Sequence, residues 1–251
     1  MTKVATKTFR NKGIIMKAVI IAAGQSSRLW EKTDRSPKTL LPYGDGTILS
    51  AIIDNMKSCG IQEIIIIVGW KKSEIKSYVK SQDDFGVDVQ FIYNEDWERG
   101  NGISVLAAKA GVGDEPFIMS MCDHVVSPSA ISRMIEAKST KNLLLVDWRV
   151  DDIFDIDDAT KVQVENGDIV EIGKELKDYN CIDCGLFRLD SKFFAAMQKQ
   201  LQRGNESISA AVTGLVEVKN MGAVDMQNDE YWIDIDTPEA YQHALDIIDE
   251  H

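Results

Sequence analysis

The sequence predicts an α/β chain, with a mainly parallel, Rossmann-like sheet covered by helices on both faces and a small antiparallel lobe inserted late. Two observations predict it. Through the first 150 residues, apolar runs of strand length alternate with stretches of helical periodicity, the order that gives parallel strands joined by crossover helices. After Val150 the rhythm changes, and Asn166-Gly167-Asp168 separates two alternating runs, which is a hairpin signal.

Residues 17–23 (KAVIIAA) form a short apolar run stopped by Gly24 and read as a buried strand. Apolar residues at Ile48, Ile52, Ile53 and Met56 make a helical stripe, with Thr47 placed to cap its start and Gly60 just past its end. The β-branched run 63–68 is a second buried strand. Then come a helix at 73–80, a strand at 87–93, a helix at 103–110, a strand at 116–121, a helix at 129–137 and a strand at 142–148. An acidic loop at 151–158 leads into the hairpin 161–165 and 169–172. A strand at 181–189 and helices at 191–201 and 206–215 follow. Thr237-Pro238-Glu239 opens a last helix to Asp249, with Thr capping it and Pro in its first turn. Residues 1–15 carry Lys3, Lys7, Arg10 and Lys12 without an acid and are expected to be a flexible tail. The core is expected to begin near Met16, itself a candidate start, and 16–251 to form one domain in which 151–190 supplies the lobe.

The formal charge of −12 over 251 residues argues against nucleic acid as a partner, because a basic face is needed to displace counterions from phosphates. It does not exclude a small anionic substrate, for which local field decides. No apolar run approaches the roughly 18 residues of a membrane span, and the basic start lacks a signal-peptide core. Cys181 and Cys184 form a C-x-x-C, but in a strand an odd spacing sends the two side chains to opposite faces. The four cysteines are read as reduced thiols of a cytoplasmic protein. A homodimer is left open.

Three groups of residues carry chemistry. Ala22, Ala23, Gly24, Gln25, Ser26, Ser27 and Arg28 leave the first strand. Small residues there let backbone N–H groups approach an oxyanion, and Arg28 can hold two phosphate oxygens. Lys32, Arg35 and Lys38 add cations just downstream, with Pro37 fixing the backbone. This is neither a Walker loop nor a dinucleotide fingerprint. Next, Asp123 ends the apolar strand 116–121, where an acid is costly unless paired or bound to a cation. Magnesium needs one or two carboxylates, and Asp234 or Asp236, on one face of an extended segment, can supply the partner. His124 reads as a local hydrogen-bonding residue, since hard magnesium prefers oxygen. Last, Asn94 and the Arg99-Gly100-Asn101-Gly102 run open a predicted helix, which suits either backbone contact with a ligand or a plain capped turn.

Ala22-Ala23-Gly24-x-x-x-Arg28-Leu29 followed by Pro37-Lys38 resembles the signature of the sugar nucleotidyltransferase family, with Ser27 where a Thr is usual. The resemblance implies a GT-A-like nucleotidyltransferase fold in which the loop wraps the nucleotide and Arg28 and Lys38 neutralise its triphosphate. It also implies a metal Asp at Asp123 and a second in the late Asp234/Asp236 segment. The R-G-N-G-I-S-V-L, M-C-D-H-V, D-D-A-T-K-V-Q-V-E, Y-N-C-I-D-C-G-L-F and W-I-D-I-D-T-P segments look most like one branch, the CTP:inositol-1-phosphate cytidylyltransferases. By that resemblance Asn94, Gly100 and Asn101 lie on the nucleotide side, and Asp123, His124, Lys161, Lys174 and Asp183 face the acceptor. Lys174 stands where the family has the lysine of E-K-P.

The implied activity is Mg2+-dependent transfer of CMP from CTP to a small phosphorylated alcohol, inositol 1-phosphate first, with release of pyrophosphate. Phosphocholine, a phosphonate such as 2-aminoethylphosphonate, or a sugar 1-phosphate are the alternative acceptors. A metal-dependent glycosyltransferase and a non-catalytic nucleotide-binding regulator are the rival readings.

Overall fold

The computed structural model describes residues 16–25, 27–29 and 35–249. The expected tail at 1–15, together with Ser26 and Lys32, lies outside the described residues. Strand β1 (Lys17–Ala22) is followed by the small pair β2 (Pro42–Tyr43) and β3 (Gly46–Thr47), helix α1 (Ile48–Ser58), β4 (Glu63–Val68), α2 (Lys72–Ser81) and β5 (Asp88–Tyr93). Helices α3 (Asn101–Ala107) and α4 (Lys109–Val112), strands β6 (Phe117–Met121) and β7 (His124–Val126), helix α5 (Pro128–Glu136) and β8 (Asn142–Asp147) come next. The chain continues through β9 (Lys161–Glu165), β10 (Asp168–Gly173), β11 (Cys181–Leu189), α6 (Ser191–Gln202), α7 (Ile208–Glu217), β12 (Met221–Asp225), β13 (Trp232–Asp234) and α8 (Pro238–Asp249).

Nine strands form one sheet in the order β5-β4-β1-β6-β11-β8-β12-β10-β9, and β9 also meets the first residues of β11. The expected parallel pairing holds from β5 to β6 and again between β8 and β12. Between them β11 runs antiparallel to both β6 and β8, so the sheet is mixed. The reason is topological. The chain enters β11 from the lobe, having crossed through the β9–β10 hairpin, and so returns along the sheet in the opposite sense. The hairpin turn has positive φ at Asn166 (52°) and Gly167 (81°), the combination that a two-residue turn matched to strand twist requires. β12 was not among the expected strands, because Met221-Gly222-Ala223-Val224 shows neither alternation nor a turn signal.

Both faces of the sheet are covered, which explains why its strands read as continuous apolar runs. Ala18, Ile20 and Ala22 of β1 face one layer, against Ile52 and Met56 of α1, Val79 of α2, Ile131 of α5 and Ala244 of α8. Val19 and Ile21 face the other, against Val105 of α3, Met197 of α6 and Leu215 of α7. Cys181 and Cys184 lie in different layers, as their spacing implies, and all four cysteines are free. Thr47 caps α1 by accepting the Ser50 N–H at 3.1 Å, and Thr237 caps α8 by accepting the Ala240 N–H at 3.1 Å. Among the described residues no helix is long and apolar enough to cross a membrane.

β1 has β4 on one side and β6 on the other. The chain thus leaves the carboxyl ends of β1 and β6 at a switch point, where open α/β sheets form a ligand crevice. Phe194 of α6 is fully buried and stacks on Phe117 of β6 with ring centroids 5.6 Å apart. Phe194→Ala is expected to cost about 3–5 kcal/mol, read as a lower midpoint in urea unfolding.

Candidate active site

Two backbone devices bring the middle and the end of the chain together beside β6. The Ile235 N–H donates to the Asp123 carbonyl at 3.0 Å. β7 pairs antiparallel with β13 so that Asp234 stands directly opposite His124. Directly opposite residues in such a pair have neighbouring side chains. Asp123, His124, Asp234 and Asp236 therefore share one end of the crevice. The loop after β1 approaches from the other side. Its Ala23 carbonyl accepts the Trp70 N–H at 3.0 Å, and a Cβ on Gly69 would come within 2.6 Å of that same carbonyl, so only glycine allows the two turns to meet. Beyond Gly24 there is open space, and buried Leu29 anchors the short turn that carries Arg28.

The charged side chains form an alternating row. The Lys38 ammonium lies between Asp123 and Asp236 and pairs with both. The Arg28 guanidinium donates to Asp236 at 2.9 Å and, with its other nitrogen, to Asp158 at 2.8 Å. Lys174 donates to the second oxygen of Asp158 at 2.7 Å. Lys38 and Asp123 are each 7% exposed. Burial alone would strip the Lys38 proton, but Asp123 and Asp236 hold it firmly in place. Burial likewise opposes ionisation of Asp123, yet Lys38 and His124 keep its carboxyl well below the usual carboxylate range.

His124 donates through Nδ1 to the Asp123 carboxylate at 2.7 Å, and its Nε2 lies 3.7 Å from Asp234. Burial disfavours its charge, but Asp234 and Asp123 outweigh that and push it up to about 10. Asp234 is raised to about 6 by burial, with Asp123 and Asp236 adding to the rise and His124 opposing it. One Asp234 oxygen, Oδ1, is buried with no hydrogen-bond partner. Asp123, His124 and Asp234 each offer a ligand atom within 4.8 Å of the others. An orphaned carboxylate oxygen beside a second carboxylate fits a hard divalent cation, whereas Asp236 is already engaged by Lys38 and Arg28.

A cavity of about 240 Å³ opens next to this row. Arg28 and Lys174 stand at it with Asp158, while Asp183, Asn101 and Ser209 supply polar groups and Trp232 and Phe187 apolar ones. Several expected site residues are engaged elsewhere. Asn94 is buried, donating to the Ser104 hydroxyl at 3.0 Å and accepting the Asp96 N–H at 3.0 Å. Gly100 packs on Glu206, where a Cβ would meet the carbonyl oxygen at 2.4 Å. Asn101 does line the cavity, but its Oδ1 accepts the Ile208 N–H at the start of α7. Thus the R-G-N-G run buttresses α7 as well as bordering the site. Lys161 is buried and donates to the Asp157 carbonyl at 3.0 Å, outside the cavity lining.

Sequence reasoning gave no role to Asp158, Asp147 or Trp232. Asp158 is hidden in an acidic loop, and its partners lie 130 and 16 residues away. Asp183 accepts the Gly185 N–H at 2.7 Å, and burial raises its carboxyl to about 6 against the pull of that bond and of His124. A raised folded value means that this group favours folding fully at low pH, and that its contribution is lost as pH climbs from about 4 through the folded value of about 6. Asp183→Asn is accordingly expected to raise the thermal midpoint near pH 7.5 and to leave it unchanged near pH 4, measured by thermal unfolding at both.

Residues 18–152, more than half of the 251-residue chain, match the family model described as the MobA-like NTP transferase domain. The chain is 33% identical over 240 residues to a bifunctional IPC transferase and DIPP synthase of Archaeoglobus fulgidus, a match covering 95% of this chain and 45% of that protein. It thus spans about half the length of the bifunctional relatives it matches. Over 248 residues it is 26% identical to the CTP:phosphoglutamine cytidylyltransferase of Campylobacter jejuni, covering 88% of this chain and 96% of that one. The solved structure of the inositol-1-phosphate CTP transferase from T. maritima is similar in fold, with a TM-score of 0.84 at 24% identity over 95% of this chain and 98% of that one. Covering more than half of the chain, the family match identifies it as a member of the MobA-like NTP transferase family.

Proposed function

We propose that the chain transfers CMP from CTP to a small phosphorylated polyol, inositol 1-phosphate in the first instance, and releases pyrophosphate. The observation that carries this is the row of cations and acids at the mouth of a polar cavity, with Arg28 and Lys174 sharing Asp158 where an acceptor phosphate would sit. Carboxylate and small polar groups deeper in that cavity suit hydroxyl donors. The relatives named for inositol 1-phosphate or IPC support the same choice. Free, mostly buried thiols suit a reducing compartment, and the cytoplasm is the proposed location.

The reaction needs positioning more than proton transfer. A phosphate monoester loses its second proton near pH 6, so an acceptor oxygen is already nucleophilic at neutral pH. It attacks the α-phosphorus of CTP in line. The new P–O bond forms as the bond to the β-phosphate oxygen breaks, and its electron pair leaves with pyrophosphate. Arg28 and Lys38 hold the triphosphate, Lys174 holds the acceptor phosphate, and the small residues 22–24 let the backbone approach the nucleotide. Asp123 and Asp234 would hold Mg2+. When bound, that ion neutralises phosphate charge and polarises the P–O bonds.

A second reading is favoured by Asp183, Asp234 and Trp232 in the same cavity, since carboxylates and an aromatic face also hold an ammonium group. It would make the acceptor an aminated phosphate such as phosphocholine or aminoethylphosphonate. Pyrophosphate release measured with CTP, UTP, GTP and ATP against inositol 1-phosphate, phosphocholine, aminoethylphosphonate and glucose 1-phosphate separates the two. The expected outcome is turnover with CTP and inositol 1-phosphate, and the absence of pyrophosphate from every pair would overturn the reaction itself. Asp123→Ala is expected to lower turnover by about 1,000-fold and to lower the urea unfolding midpoint while leaving a cooperative transition, because buried Lys38 keeps only Asp236 as a partner. Lys174→Ala is expected to raise the acceptor KM about 10- to 100-fold while leaving the CTP KM in place.

A further inference from the structure

The imidazole of His124 sits in a built slot. On one side the Trp232 indole stacks on it, with ring centroids 5.8 Å apart and planes 12° from parallel. The backbone of Gly185 also abuts the ring, at a bulge in β11 where φ is +71° and where a Cβ would come within 2.3 Å of His124 Cδ2. The β7–β13 ladder explains the stack. With Asp234 opposite His124, Trp232 is its diagonal neighbour on the same face, within reach of a large ring.

The indole is itself anchored. Its N–H donates to the Asp147 carboxylate at 2.9 Å. That carboxylate is 3% exposed and is clamped by the Arg149 guanidinium at 2.9 and 2.7 Å and by the Arg149 N–H at 2.9 Å. Burial alone would raise Asp147, but the Arg149 contacts and the indole N–H keep it ionised. A continuous set of contacts thus runs from Arg149 through Asp147 and Trp232 to His124, and from His124 Nδ1 to Asp123 Oδ1.

The geometry points to Trp232 and Asp147 as positioning residues that act through His124 to fix the Asp123 carboxylate for the metal-bound nucleotide. This deepens the proposed reaction and rests on it. With its ring packed against indole and glycine, His124 cannot swing, so Asp123 keeps Oδ1 on the imidazole and Oδ2 on Lys38, and the carboxylate is fixed in place beside Asp234. None of these side chains needs to touch substrate for the effect, although Trp232 also borders the cavity.

The test reads metal binding without turnover, as Mn2+ bound in the presence of CTP and in the absence of any acceptor, measured by electron paramagnetic resonance. Trp232→Leu removes the stack and is expected to weaken Mn2+ binding about 10- to 100-fold. Trp232→Phe keeps the ring face and loses only the Asp147 anchor, so the loss is expected to be smaller, about threefold. If Trp232 acts through His124, then Trp232→Leu and His124→Asn together weaken binding no more than the stronger single change, because one interaction has been removed twice. Additive losses, or wild-type Mn2+ affinity in Trp232→Leu, would overturn the positioning role. Urea unfolding accompanies each variant. Should Trp232→Leu not fold, the cycle of Trp232→Phe with Asp147→Asn carries the same non-additivity criterion. Mn2+ binding that survives Asp123→Ala removes the metal site and with it the proposed reaction, whereas binding lost in Asp123→Ala but unchanged in Trp232→Leu removes only this inference.

Discussion

The row Asp123–Lys38–Asp236–Arg28–Asp158–Lys174 is the constraint around which the site is built. An unpaired buried charge is far more costly than an exposed one, and Lys38 is buried between two acids from the middle and the end of the chain. The fold can close over Lys38 only if Asp123 and Asp236 arrive there. Folding and site assembly therefore impose the same requirement. The row is also graded in depth. Lys38 and Asp123 are enclosed, while the Arg28 side chain is 53% exposed and that of Lys174 is 51% exposed. Exposed pairs are worth only about 0–1 kcal/mol. The outer links to Asp158 can thus exchange one anion for another at little cost, and the inner links hold the geometry while they do.

In the proposed reaction such an exchange would let a strongly acidic chain receive an anionic nucleotide. A phosphate arriving at Arg28 or Lys174 would replace Asp158 instead of adding to it, so the cations would be bare in neither state. The scaffold beneath the row does not need to move for this. Asp123 is tied through its own carbonyl to Ile235, and the turn after β1 is tied through Ala23 to Trp70. Both ties are backbone bonds at the carboxyl ends of adjacent parallel strands. They place the acids and the phosphate loop by sheet register and not by side-chain choice.

The parts of this arrangement that were legible in the sequence are those set by local pattern. An Asp at the end of an apolar strand, a Pro-Lys after a small-residue loop and an alternating Asp234/Asp236 pair each carry their meaning within a few residues. The Asn166-Gly167 turn was legible for the same reason, since both positions need positive φ. What stayed hidden is what depends on distant pairing. Nothing near Asp158 distinguishes it from its acidic neighbours until Arg28, 130 residues away, is seen beside it. Asn101 reads as part of the turn that opens its own helix, yet its side-chain Oδ1 accepts the Ile208 N–H of α7, more than a hundred residues on. β12 carries no pattern of its own and becomes a strand by pairing with β8. The role of Trp232 needs three segments at once, because its N–H, its ring face and its backbone each meet a different partner.

A charge count at the crevice gives a physical reason for the divalent cation that the proposed reaction calls for. Asp123, Asp158, Asp183, Asp234 and Asp236 line or adjoin the cavity, against Arg28, Lys174, Lys38 and a His124 held charged by its neighbours. The acids are in slight excess before any substrate arrives, and both substrates bring further negative charge. Asp234 and Asp183 are both lifted to about 6, chiefly by burial, and at Asp234 the neighbouring Asp123 and Asp236 add to the rise. The protein cations cannot offset the remaining acid charge, because each is already paired with at least one acid. Relief must come from charge that is not tethered, and the unpartnered Asp234 oxygen is where the structure offers it a ligand. An acidic crevice therefore suits the proposed chemistry. It would disfavour the bare nucleotide and favour the one that arrives with its metal.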